Sequence, residues 1–220
     1  MSATRAIQLC NEAILSAANR QQTLEKMAKP FFPDFASKDK RTAAVLIALC
    51  EEKDNVLSLL YTQRSGNLSR HTGQVSFPGG MRDPTDTSWE DCALRETEEE
   101  IGLDRRYVDV WGTGAPLNVP YSKVIIYPVI GSVKNFSDLK LKINPAEVEK
   151  VFTVSLEHLC SKENHRHTQF KSAGIVIPAY VNTPAKVWGI TAFMTHIFLK
   201  ALLPKETYNR TWPILRSFKL

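Results

Sequence analysis

The stretch Gly79-Gly80-Met81-Arg82-Asp83-Pro84-Thr85-Asp86, followed nine residues on by Arg95-Glu96-Thr97-Glu98-Glu99-Glu100-Ile101-Gly102-Leu103, reads as a glycine turn leading into a helix. On a helix, positions three and four apart share a face, so Glu96, Glu99 and Glu100 group within about 100° of one another. Glu98 falls on the opposite side. Gly102 stands where a left-handed helix terminus belongs, which puts the three carboxylates in the last turns, where the helix dipole disfavours negative charge. Each like-charged pair adds a few tenths of a kcal/mol of repulsion at this spacing. Arg95, on the flank of Glu99, supplies one compensating charge. The remainder suits a hard divalent cation such as Mg²⁺ or Mn²⁺, which takes oxygen ligands. Three glutamates alone are more often a solvated helix end. The upstream Gly79-Gly80 turn reverses that balance, because it can bring backbone groups to the same ion.

Residue for residue, this stretch resembles the signature of the Nudix hydrolases: Gly, five residues, Glu, seven residues, then Arg-Glu-apolar-any-Glu-Glu-any-Gly-apolar. Gly80, Arg95, Glu96, Glu99, Glu100, Gly102 and Leu103 match it. Two positions depart. The loop acid is Asp86, with eight residues before Arg95 instead of seven, and Thr97 stands at an apolar position. Neither touches the three-glutamate face, and Asp86 is not counted among the ligands. A second segment, Leu60-Tyr61-Thr62-Gln63-Arg64-Ser65, then Arg70, Gly73 and Phe77-Pro78-Gly79-Gly80, resembles the upstream motif of the coenzyme A diphosphatase branch, with Arg70 one position later than usual. Trp188-Gly189-Ile190-Thr191-Ala192 is also similar to this branch. Arg64, Arg70, His71 and Arg82 surround one loop system. Guanidinium groups bind phosphate bidentately, and coenzyme A carries a pyrophosphate and a 3′-phosphate, so these four are the candidate substrate contacts.

The chain has 220 residues, 43% hydrophobic and 23% charged, enough for a full core in one domain. A net charge of +5 fits an anionic substrate. No basic block with interleaved aromatics is present, which argues against nucleic acid as the main partner. Cys10, Cys50, Cys92 and Cys160 are scattered without CxxC spacing, so they read as buried thiols in a reducing intracellular compartment. No apolar run reaches the roughly 18 residues of a membrane span. The segment before Glu12 holds Arg5 and no acid, compatible with a mitochondrial presequence, although an amphipathic helix is the stronger reading. Ser217-Phe218-Lys219-Leu220 approaches a peroxisomal address but has Phe218 where a small residue is required. Mitochondrion and peroxisome therefore stand beside the cytoplasm as locations.

Apolar spacing predicts a surface helix over 4–28, ended by Pro30 and Pro33, and a polar linker over 34–41. Strands are predicted over 43–49, 56–62, 74–77, 107–112, 124–133, 151–154 and 175–181, with a brief helix through Leu156 and Leu159 and a closing helix over 188–203. The polar region 165–173 reads as a loop. Strands interleaved with helices indicate an α/β class. The resemblance implies the Nudix α/β/α sandwich with a mixed sheet, over a domain of 40–204 flanked by an N-terminal helix and linker (1–39) and a C-terminal tail (205–220).

The resemblance also implies a chemistry: Mg²⁺ or Mn²⁺ held by Glu96, Glu99 and Glu100 with the Gly80 carbonyl, and hydrolysis of coenzyme A or acyl-coenzyme A to adenosine 3′,5′-bisphosphate and (acyl) 4′-phosphopantetheine. The general base is either Glu96, oriented by Arg95, or a later loop carboxylate, for which Glu147 is preferred to Glu149. The competing readings are a Nudix hydrolase of another nucleoside diphosphate derivative such as NADH, and a catalytically silent binding module. Oligomeric state is open.

Overall fold

The computed structural model describes residues 10–30, 40–66, 73–118, 123–170 and 175–210. At its centre lies β1 (Arg41–Glu51), which is buried on both faces, as its unbroken run of apolar residues requires. Alternation sends Val45, Ile47 and Leu49 into one core and Ala44, Leu46, Ala48 and Cys50 into the other. On one side β1 pairs antiparallel with β2 (Leu57–Arg64). On the other it runs parallel to β6 (Val124–Val133), in a register from Arg41↔Val124 to Cys50↔Val133. The tight turn between β1 and β2 uses Asp54 and Asn55, both at φ 57°, residue types that tolerate the left-handed region.

The sheet is completed by β3 (Val75–Ser76) and β7 (Val148–Ser155) on β2, β4 (Gly79–Met81) on β1, and β5 (Val108–Thr113) on β6. Its parallel β1–β6 pair among antiparallel neighbours makes it mixed, as expected. Helix α3 (Trp89–Ile101) covers one face through Cys92, Ala93 and Ile101. The small residues Ala44, Ala48 and Ala93 in that core leave room for its approach. The other face is covered by α4 (Gly189–Leu202), whose residues from Thr191 to Leu199 are all buried. Helices α1 (Asn11–Leu15) and α2 (Ala17–Met27) join that second layer through Ile14 and Met27. The result is a three-layer α/β/α sandwich.

Four expectations require correction. The single surface helix is broken at Ser16, whose extended backbone ends α1 while its hydroxyl accepts from Asn19 N–H at 3.3 Å to start α2. Gly79-Gly80 is not a turn but part of β4, in register Ala44↔Gly80 and Val45↔Gly79. Gly79 has φ 140°, and a Cβ there would run into the Ala44 carbonyl. The polar 165–173 region contains β8 (His165–Phe170), paired antiparallel with β9 (Ile175–Tyr180) outside the main sheet. The backbone ladder holds this strand, so it leaves little trace in hydropathy. Finally, Cys10 is exposed, while Cys50 and Cys92 are buried as expected and all four thiols are free.

Beyond Leu202 the chain returns to the core. Tyr208 is buried, with its hydroxyl 2.7 Å from that of Tyr180 and 2.9 Å from His196 Nδ1. Among the described residues, no helix is long and apolar enough to cross a membrane.

Candidate active site

Helix α3 starts cleanly because Ser88 accepts from Asp91 N–H, with Glu90 and Asp91 in the first turn. It stops at Gly102, which adopts φ 67° and donates its N–H to the Glu98 carbonyl. A Cβ at Gly102 would meet Lys142 at 2.8 Å, so both conformation and packing select glycine here. Thr97, on the core side, satisfies its hydroxyl by donating to the Ala93 carbonyl at 2.6 Å, which lets a polar residue occupy an apolar position.

Glu96 and Glu100 of α3 face β4. A Cβ on Gly80 would collide with the Glu96 carboxylate, so glycine lets that carboxylate lie directly against the strand. Glu100 is almost fully buried; its Oε2 accepts from Gly79 N–H at 3.1 Å, and its Oε1 lies 3.9 Å from Arg64 Nη1. Burial pushes the Glu100 carboxyl up to about 7, offset by the Gly79 bond and Arg64 and reinforced by the charges of Glu96 and Glu147. Burial likewise raises Glu96, against the pull of Arg95. Glu99 is exposed, and Glu98 turns to the other flank, where it meets Arg105 at 3.3 Å.

Arg95 organises this face. It forks onto Asp86 through Nε at 2.8 Å and Nη2 at 3.0 Å, while Nη1 divides between Glu96 Oε1 at 3.0 Å and Glu99 Oε2 at 3.1 Å. The guanidinium holds buried Asp86 well below the usual carboxylate range. Asp86 also accepts from Asp83 N–H at 2.7 Å, which ties the loop to the helix. The loop acid therefore anchors the arginine, a role the sequence did not disclose.

Glu147 reaches the same place from the segment before β7. Its N–H donates to the Asn144 carbonyl at 3.1 Å, and its carbonyl accepts from Ser65 N–H at 2.8 Å, beside Arg64. It is half-buried and within electrostatic reach of Glu96 and Glu100, whereas Glu149 is exposed. Arg82 points elsewhere: its guanidinium lies 4.3 Å over the Trp89 ring, which stacks on Tyr127 at 3.7 Å, and Nη2 donates to the Asp86 carbonyl. Arg70 and His71 lie outside the described residues.

The donor set is hard oxygen throughout, which suits Mg²⁺ or Mn²⁺ over a softer metal. Among the described residues, no three His, Cys, Asp or Glu side chains already surround one ion position. The reason is local: Arg95 engages oxygens of Glu96 and Glu99, and Gly79 N–H engages Glu100. A buried carboxyl raised to about 7 beside two further glutamates is nonetheless short of positive charge, and a cation fits that deficit.

A family model described as the NUDIX domain matches residues 40–173. The Mus musculus protein named mitochondrial coenzyme A diphosphatase NUDT8 is 42% identical over 166 residues, covering 74% of this chain and 78% of its own. Its namesake in Homo sapiens is 41% identical over 167 residues, covering 74% and 70%. Nudix hydrolase 15, mitochondrial, of Arabidopsis thaliana is 37% identical over 185 residues, covering 81% and 63%. Among solved structures, a MutT/nudix family protein from Enterococcus faecalis aligns at 18% identity with a TM-score of 0.49, over 83% of this chain and 72% of that one. The chain belongs to the Nudix family of hydrolases.

Proposed function

We propose that this protein is a divalent-metal-dependent coenzyme A diphosphatase, cleaving coenzyme A or acyl-coenzyme A to adenosine 3′,5′-bisphosphate and (acyl) 4′-phosphopantetheine. The observation that carries the reading is the placement of Glu96 and Glu100 against β4, with Glu99 and Glu147 within electrostatic reach of Glu96, in a chain whose relatives in mouse and human bear that activity in their names. Those relatives and the Arabidopsis protein are also named mitochondrial, and we assign the same location here.

Glu96, Glu99 and Glu100, with the Gly80 carbonyl, would hold Mg²⁺ or Mn²⁺, which when bound neutralises pyrophosphate charge and makes water a better nucleophile. Arg95, fixed by Asp86, orients the Glu96 and Glu99 carboxylates. Arg64 is our candidate for contacting the pyrophosphate, a reading supported by its 3.9 Å tie to Glu100, which a phosphate oxygen can replace. Glu147 is the better candidate for the base that accepts the water proton, because its engaged oxygen is held by the neutral Asn144 amide, whereas that of Glu96 is held by the charged Arg95. Arg70 is the candidate for the 3′-phosphate, and His71 stays among the substrate contacts.

The test is a metal-dependent hydrolysis assay with coenzyme A, NADH and nucleoside triphosphates, with products identified by mass spectrometry. Preference for coenzyme A with release of adenosine 3′,5′-bisphosphate supports the reading. Turnover of NADH or a triphosphate in its place would reassign the substrate, and no turnover of any would leave a binding module.

A further inference from the structure

Asn144 joins the end of α3 to the segment that carries Glu147. Its N–H donates to the Glu100 carbonyl at 2.9 Å, and its carbonyl accepts from the N–H groups of Glu147 at 3.1 Å and Val148 at 2.9 Å. The side chain works on the same segment: Oδ1 accepts from Ala146 N–H at 3.2 Å, and Nδ2 donates to Glu147 Oε1 at 3.3 Å. One short amide therefore closes a turn and holds a carboxylate at the same time. Aspartate would keep the acceptor and lose the donor, while alanine would lose both.

The three backbone bonds survive any side-chain replacement, and Ser65 N–H holds the Glu147 carbonyl independently at 2.8 Å. Nδ2 thus has a separable task, which is to select among the rotamers open to a half-buried glutamate. We infer that Asn144 is a positioning residue for the hydrolysis: it binds one oxygen of Glu147, directs the other towards the α3 carboxylates, and ties the placement to the backbone of Glu100. This rests on the reading of Glu147 as the base. A base must stand within hydrogen-bond reach of its proton, and small misplacements of such groups cost disproportionately in rate.

The experiment is a double-mutant cycle on the full chain with coenzyme A and Mn²⁺, using Asn144→Asp, Asn144→Ala, Glu147→Gln and the two double variants. Both Asn144 variants should lower kcat by about tenfold with KM unchanged, and should cost less than about twofold when Glu147 is already glutamine. Asn144→Asp retains the turn acceptor, so it reports the lost donor even if Asn144→Ala fails to fold. Equal losses in both backgrounds, a loss confined to KM, or wild-type rates in Asn144→Asp would overturn the role of Asn144 while leaving Glu147 as the base. Wild-type turnover in Glu147→Gln, or no hydrolysis of coenzyme A by the unaltered protein, would overturn the reading of the site and this inference with it.

Discussion

Replacing Glu100 by glutamine converts the electrostatics of the site into a stability measurement that requires no substrate. The folded protein raises this carboxyl from an ordinary value of 4.5 to about 7, chiefly by burying it. A raised acid pKa contributes stability that is complete below the unfolded value and is lost as pH climbs through the folded one. The full span is worth about 3.4 kcal/mol at 1.36 kcal/mol per pH unit, and about 2.5 kcal/mol of it falls between pH 5 and pH 8. Titrating groups that do not interact with Glu100, including Asp86 with its opposite shift, cancel when wild type and Glu100→Gln are compared at each pH. Urea unfolding in excess chelator should therefore show the variant gaining about 2.5 kcal/mol on wild type between pH 5 and pH 8, equivalent to about 5–10 °C in Tm. Adding Mg²⁺ at pH 8 should close most of that gap by stabilising wild type alone. A difference that stays flat with pH would refute the buried, charge-deficient description of Glu100.

The helical-face assignment predicts that Glu99→Gln and Glu100→Gln fold and lose roughly a hundredfold or more in turnover, while Glu98→Gln, whose partner is Arg105, stays near wild type; steady-state kinetics check this, and equal damage at Glu98 contradicts it. Hydrolysis should require added Mg²⁺ or Mn²⁺, so full turnover in excess chelator would remove the metal from the account. Arg70→Ala should lose on the order of ten- to a hundredfold in kcat/KM for coenzyme A and much less for its 3′-dephosphorylated form, because a charge-assisted phosphate contact is worth roughly 1.5–3 kcal/mol. Equal losses on the two substrates would move Arg70 to the pyrophosphate or the fold.

What could be read from the sequence follows the range of the interactions. The carboxylate spacing on α3 and its stop at Gly102 are local, set by helical period and one glycine, and the stop stands as expected. Likewise β1 and β6 announce themselves through long apolar runs. The strand character of Gly79-Gly80 is different, because it depends on the edge of β1, far away along the chain. The same holds for β8, whose polar side chains say little about its ladder with β9. Asp86 carried a partial signal: an acid at a set distance before Arg95 was visible, but its bidentate grip was not. Nothing marked Asn144, since its significance comes from touching Glu100 and Glu147 together. Arg82 shows the converse, a loop arginine that composition pairs with phosphate and packing commits to Trp89.

The most direct test of the central claim is to incubate the purified protein with coenzyme A and Mn²⁺ and identify the products by mass spectrometry. Equimolar adenosine 3′,5′-bisphosphate and 4′-phosphopantetheine are expected, absent when the metal is chelated and sharply reduced in Glu99→Gln and Glu100→Gln. Intact coenzyme A under these conditions, or cleavage that persists undiminished in both variants, would contradict that claim.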